Sequence, residues 1–183
     1  MQHLQMTEAD IRAALVRTGR VPEGDPDGIG DVIVGLMNGS VAMKDVQGID
    51  DDELESVYAL AYNHFRAGKL DEAEKLLAFV CMFEHRSSKY WLGLGAVRFG
   101  QGNHEGALSA YAASAMADPD DPRPPLRAAD CQLALGNRDE AKAALEMAIE
   151  NSGDDPKHAV VRQRAEALID LIDKGAATAA TAQ

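Results

Sequence analysis

At 183 residues, with 46% hydrophobic and only 5% aromatic residues, the chain can build one sizeable core and reads as an Ala/Leu-rich helical domain. Its formal net charge of −12 disfavours nucleic acid or an anionic membrane surface as partner, because both would be repelled before contact. No apolar run approaches the length of a membrane span, and the N-terminus lacks the layout of a signal peptide, so a cytoplasmic protein is expected.

In chain order, residues 1–30 form an N-terminal extension. Met1 to Gly19 can make a first helix, with Thr7 as N-cap, Asp10 in capping-box position and Ile11 and Leu15 on one face. Arg20 to Gly30 carries Pro22, Gly24, Pro26, Gly28 and Gly30 among acidic residues, which is linker chemistry. Asp31 to Met43 regains helical spacing, with Val32, Ile33, Leu36, Met37 and Val41 around one side, although Gly35 and Gly39 weaken it. Val32, Ile33, Leu36 and Met37 form an apolar face that could meet a second copy or the chain's own body. Asp50 to Glu53 then supplies an N-cap, a capping box of the D-x-x-E kind and acidic residues for the positive end of a helix dipole.

From Leu54 a pattern returns at one interval. Gly68, Gly102 and Gly136 stand 34 residues apart, as do Ala73, Ala107 and Ala141. Each glycine opens a short polar turn, and each alanine lets two antiparallel helices approach closely, as do Ala61, Gly95 and Ala129 in the first helix of each unit. This period with two columns of small residues is the signature of tetratricopeptide repeats, over 54–87, 88–121 and 122–155. Helices are predicted over Asp51 to Ala67, Leu70 to Phe83, Ser88 to Gln101, His104 to Ala117, Pro122 to Leu135 and Arg138 to Asn151. Pro124 and Pro125 fall in a first turn, where missing amide donors cost little. Val161, Ala165, Leu168 and Ile172 mark a capping helix over 156–173, and the Ala/Thr-rich tail, 174–183, is expected to be disordered. The fold class is therefore all-α: a superhelix of three helix-turn-helix repeats with an N-terminal helix, a C-terminal capping helix and a concave face.

In such repeats the first helix of each unit lines the concave face. The lining positions are Glu55, Tyr58, Tyr62 and Phe65, then Lys89, Leu92, Ala96 and Phe99, then Arg123, Leu126, Asp130 and Leu133. Three aromatic side chains on one face cannot all be packed by their own repeat, which suits an extended or helical peptide with apolar anchors; packing against the N-terminal helix or another subunit is the alternative. Repeat co-chaperones that grip a C-terminal carboxylate use Lys and Asn where this chain has Tyr58 and Tyr62. Arg123 and Arg127 alone are half of such a clamp, so that mode is not expected.

No enzyme chemistry is legible. His3, His64, His85, His104 and His158 are dispersed, Cys81 and Cys131 lie in different repeats, and the glycines make no phosphate loop, so neither a metal nor another cofactor is expected. The acidic run at Asp50 lacks the ligand spacing of a calcium loop. The acidity reads first as solubility and second as fit to a basic partner segment.

Taken together, Gly39-Ser-Val-Ala-Met43, Leu54-Glu-Ser-Val-Tyr-Ala-Leu-Ala-Tyr62, Tyr90-Trp-Leu-Gly-Leu-Gly-Ala96, Asp118-Pro119 and Pro122-Arg-Pro-Pro-Leu-Arg-Ala-Ala129 resemble the class II type III secretion chaperones of SycD/LcrH type. The resemblance runs over roughly residues 31–172. It implies a cytosolic, non-enzymatic chaperone, self-associating as a homodimer, that masks hydrophobic translocator proteins before export. It also implies that the groove takes an extended client segment, seating proline and aliphatic side chains. On this resemblance the groove comprises Tyr58, Tyr62, Phe65, Leu70, Leu92, Ala96, Phe99, Leu126 and Leu133, with Leu70 standing where an aromatic is common. A repeat scaffold joining two folded proteins, through the convex face or the N-terminal extension, is the competing reading.

Overall fold

A computed structural model describes residues 41–181 together with Gly35, Leu36 and Gly39, and the side chains as far as Lys174. The expectations for residues 1–30, and for Val32, Ile33 and Met37, fall outside the described residues. Among the described residues every regular element is helical. Gly35 and Leu36 are helical, and Gly39 sits in a turn at φ 77°. The predicted helix ending at Met43 gives way instead to a separate short helix that begins there, α1 (Met43–Gln47). Asp45 accepts the Ala42 amide at 3.1 Å, which starts the helix, and Gly48 at φ 71° ends it.

The repeat helices follow. They are α2 (Asp51–Arg66), α3 (Leu70–Phe83), α4 (Ser88–Gly100), α5 (His104–Ala117), α6 (Arg123–Leu135) and α7 (Arg138–Ser152). The start of α2 is the expected capping box: Asp50 accepts the Glu53 amide at 2.7 Å, and Glu53 accepts the Asp50 amide at 3.1 Å. The turn is the same in all three repeats. Gly68, Gly102 and Gly136 have φ of 73°, 77° and 85°. The residue after each donates its amide to a carbonyl five positions back, as Lys69 to His64, Asn103 to Arg98 and Asn137 to Gln132, each at 2.9 Å. An added Cβ at any of these glycines would meet open space, so backbone conformation, not crowding, selects glycine there.

From α2 onward each helix packs on its neighbours in the chain, and α1 packs on α3. Ala61, Ala73, Ala107, Ala129 and Ala141 are fully buried, as a close-packed column of small residues requires. One core cluster joins the first two repeats around Leu54, Leu77, Val80 and Leu94. A second joins α6 and α7 to the last helix through Leu126, Leu145 and Ala165, and Tyr111 with Cys131 bridges between them.

After the third repeat, a 3-10 turn (Pro156–His158) precedes α8 (Ala159–Thr181), which packs on α7 through Val161, Ala165, Leu168 and Ile172. This corrects the expected disordered tail from residue 174: the helix continues through Gly175 to Thr181. The extension is rich in alanine, the strongest helix former, and a helix satisfies its own backbone without a tertiary partner. Among the described residues no helix is long and apolar enough to cross a membrane.

Candidate functional site

Tyr58, Tyr62 and Phe65 follow i, i+4, i+7 spacing along α2 and so share one face of it. Opposite them α4 brings Leu92, Gly93, Ala96 and Val97, while Leu77 comes from α3 and Tyr111 from α5. Together with Lys89 of α4 and Arg123 and Arg127 of α6, these side chains enclose an open cavity of about 220 Å³. Leu77, Val97 and Tyr111 are buried and make the floor, whereas Tyr62 stands at the mouth with 51% of its surface exposed. An aromatic side chain that exposed at the lip of an apolar cavity leaves contact area for a partner to cover.

The cavity exists because one wall lacks side chains. A Cβ on Gly93 would lie 3.2 Å from Leu77 Cδ2 and 3.3 Å from Tyr58 Cε2, so even one methyl there would press on the floor. Ala96 continues the same low wall. Tyr58 is fixed from the other side, its ring 5.5 Å from that of Tyr90 and its face under the Lys89 ammonium at 4.3 Å.

The rim is charged. Lys89 is paired with Glu55 at 2.5 Å, and the Tyr90 hydroxyl donates to the same carboxylate at 2.9 Å. The Lys89 contact, helped by Tyr90, holds the Glu55 carboxyl below its ordinary range against the opposing effect of burial. Burial, and then Glu55, push the Tyr90 hydroxyl up. Arg123 chelates the buried Asp121 carboxylate through Nε and Nη2, at 2.9 and 2.7 Å. Burial would raise Asp121, but this chelate and the Arg123 amide hold it low. Arg127 makes a single contact to Asp130 at 3.2 Å, and Arg164 of α8 bonds both oxygens of that carboxylate at 2.9 and 3.0 Å.

Of the groove residues expected from the sequence, Tyr58, Tyr62, Phe65, Leu92 and Ala96 come together at the cavity. Leu70 lies nearby against Gly100, 3.5 Å from where a Cβ would be, and packs with Phe65 on the first core. Phe99 lies against His104, the rings tilted by 56° with centroids 5.1 Å apart, and Leu133 packs on the third-repeat core. Leu126 is not brought to the cavity: it is buried in that core, because α7 and α8 close over α6. The floor residues Leu77, Val97 and Tyr111 come from three helices and share no single face in the sequence. On the earlier apolar face, Leu36 is half-buried.

Among the described residues no cluster of His, Cys, Asp or Glu could hold a metal ion. Burial pushes the Cys81 thiol up to about 12 and the Cys131 thiol up to about 11, leaving both poor nucleophiles. What the arrangement can do is hold an apolar side chain beside a cationic rim.

Residues 98–165 match the tetratricopeptide repeat family. The chain is 34% identical over 134 residues to the low calcium response locus protein H of Yersinia pseudotuberculosis, spanning 73% of this chain and 79% of that protein. It also superposes on the Yersinia enterocolitica type III secretion translocator chaperone SycD, in an alternative dimer form. There the TM-score is 0.67 and the identity 33%, covering 69% of this chain and 96% of SycD. PcrH, a Pseudomonas aeruginosa protein solved with the chaperone-binding region of PopD, superposes with a TM-score of 0.67 at 38% identity, covering 69% of this chain and 96% of that one.

Proposed function

We propose a function for this chain from one premise: it belongs to the tetratricopeptide chaperones of type III secretion, the family of SycD and the low calcium response locus protein H. It is a chaperone that binds and masks hydrophobic translocator proteins through its groove before their export. The observation that carries the groove assignment is the open apolar cavity between α2 and α4, with Tyr62 half exposed at its mouth. A translocator carries apolar segments that would aggregate or insert early, and a preformed groove that covers one recognition segment lowers the free concentration of the exposed state. Each anchor seated contributes on the order of 1.5–3 kcal/mol before ordering costs are subtracted.

The role needs no catalysis, and its place is the cytosol, where translocators wait for export. The chain acts as a homodimer, as its relative SycD forms dimers, with Val32, Ile33, Leu36 and Met37 as the face offered to the second copy. Residues 54–155 are the client-binding repeats, capped by α8. The test is co-purification from the secreting host: Tyr62→Ala with Phe65→Ala should abolish capture of the translocators while helical content stays unchanged. Retained capture would remove the groove from the mechanism.

A second reading, a scaffold between folded proteins, is favoured by one observation. Met82 and Met116 are exposed one repeat apart on α3 and α5, and Phe79 and Met147 are exposed two repeats apart on α3 and α7. A scaffold using those helices would survive the Tyr62 and Phe65 substitutions.

A further inference from the structure

The chain carries a formal net charge of −12, yet the groove cavity is edged by three cations, Lys89, Arg123 and Arg127, on the wall facing Tyr62 and Phe65. Their neutralisation is unequal. Lys89 is closely paired with Glu55, and Arg123 with the buried Asp121. Among the described residues Arg127 has only its 3.2 Å contact to Asp130, a carboxylate that already receives two shorter bonds from Arg164. Two guanidinium groups therefore share one carboxylate, and among the described residues the Nε and Nη2 donors of Arg127 have no hydrogen bond. Arg123, one helical turn away on the same face of α6, likewise keeps Nη1 without a hydrogen bond among the described residues. Both arginines are about half exposed, so a ligand can reach them.

Resting on the reading of the cavity as the client groove, we propose that Arg127, with Arg123 beside it, selects client segments carrying an acidic side chain, Asp or Glu, next to the apolar residue seated in the cavity. An apolar cavity alone discriminates poorly among aliphatic segments, since size and shape differ little between them. A planar guanidinium with spare donors at the cavity edge accepts a carboxylate in a directed geometry, and the low-dielectric floor strengthens that contact. The overall negative charge opposes acidic segments over the rest of the surface, so the preference is confined to this rim. An internal side chain is the source of the carboxylate. Lys89 is drawn to Glu55 and over Tyr58 on the α2 wall, so the cations with spare donors, Arg123 and Arg127, both stand on α6, and a chain terminus would not be gripped from both sides.

The test uses the full chain and synthetic peptides blocked at both ends, with fixed aliphatic and proline anchors and one intervening position set to Glu, Gln or Lys. Affinities are read by fluorescence anisotropy. At one position Glu should bind about tenfold more tightly than Gln, the scale of one added charge-assisted hydrogen bond. Arg127→Gln should abolish that preference, bringing the Glu and Gln peptides to equal affinity, and Arg127→Glu should turn the preference toward Lys. Equal binding of Glu and Gln peptides at every position, or a Glu preference that survives Arg127→Gln, overturns the inference while leaving the groove intact. A gain seen only when the peptide's C-terminus is left free overturns it in favour of a terminal carboxylate. Failure of every peptide to bind overturns the groove reading itself.

Discussion

Gly95 of α4 lies directly under the ring of Tyr111 from α5, so close that a Cβ on the glycine would stand 2.3 Å from Tyr111 Cε1. That contact sets how near the two helices of the second repeat approach. Because Tyr111 also floors the groove cavity, it ties the fold of the repeat to the shape of the site.

Gly95→Ala should therefore displace the Tyr111 ring. Overpacking of this kind costs about 1–3 kcal/mol, offset in part by about 1 kcal/mol from replacing a helical glycine with alanine. The urea midpoint should fall and client affinity should fall with it. A variant of unchanged stability would show that the ring can turn aside at no cost.

Gly93→Ala separates binding from folding. Its Cβ would press on Leu77 Cδ2 and Tyr58 Cε2 by a few tenths of an ångström, a strain comparable to the helix propensity gained, so stability should shift by less than about 1 kcal/mol. The methyl nonetheless narrows the cavity, and affinity for a translocator segment should drop roughly fivefold, as a penalty of about 1 kcal/mol implies. Isothermal titration beside a urea melt reads both quantities.

Glu84 carries the main acid-sensitive contact of the first repeat. It is buried at the turn between α3 and α4, bonded to Arg86 at 2.9 Å and to Lys44 at 2.8 Å, while Arg86 also reaches Asp45 at 3.2 Å. Burial alone would raise its carboxyl, but the hydrogen bonds from Arg86 and Lys44 prevail and hold it at about 2. A carboxyl depressed from its ordinary 4.5 contributes stability that is fully present above pH 4.5 and is lost as pH falls toward 2. Glu84→Gln should thus destabilise by up to about 3 kcal/mol at pH 7, with the difference from the parent chain shrinking below pH 4.5. Parallel denaturation curves at pH 7 and pH 3 check this; a gap that is equal at both would assign the stability to packing.

Much of the fold was legible because repeat packing writes its constraints into the chain at fixed intervals. A left-handed turn residue favours glycine, which marks Gly68, Gly102 and Gly136, and close helix crossing demands small side chains, which marks Ala73, Ala107 and Ala141. The helix bounds follow from those turns to within a residue or two. The short α1 was missed because five residues carry too little periodicity to read, and the reach of α8 to Thr181 was missed because an alanine-rich segment with nothing to bury can still form a helix.

The site was legible in half. Position in the repeat tells which face of α2, α4 or α6 a residue occupies, and Tyr58, Tyr62, Phe65, Leu92 and Ala96 line one cavity. Repeat position does not tell what covers that face. Leu126 occupies the same repeat position as Tyr58 and Leu92, and α7 and α8 bury it in the core.

The 34-residue interval by itself determined a stacked helical scaffold, its turns and its apolar, aromatic-rich first helix. Only the tertiary structure decided where that scaffold opens and what charge edges the opening. The cavity is assembled from four packed helices that meet at Gly93 and Tyr111, and its rim from α6, with Asp130 drawn toward Arg164 of α8. A periodic pattern describes each helix against its own repeat, whereas a cavity is what remains between helices of different repeats after their side chains have packed.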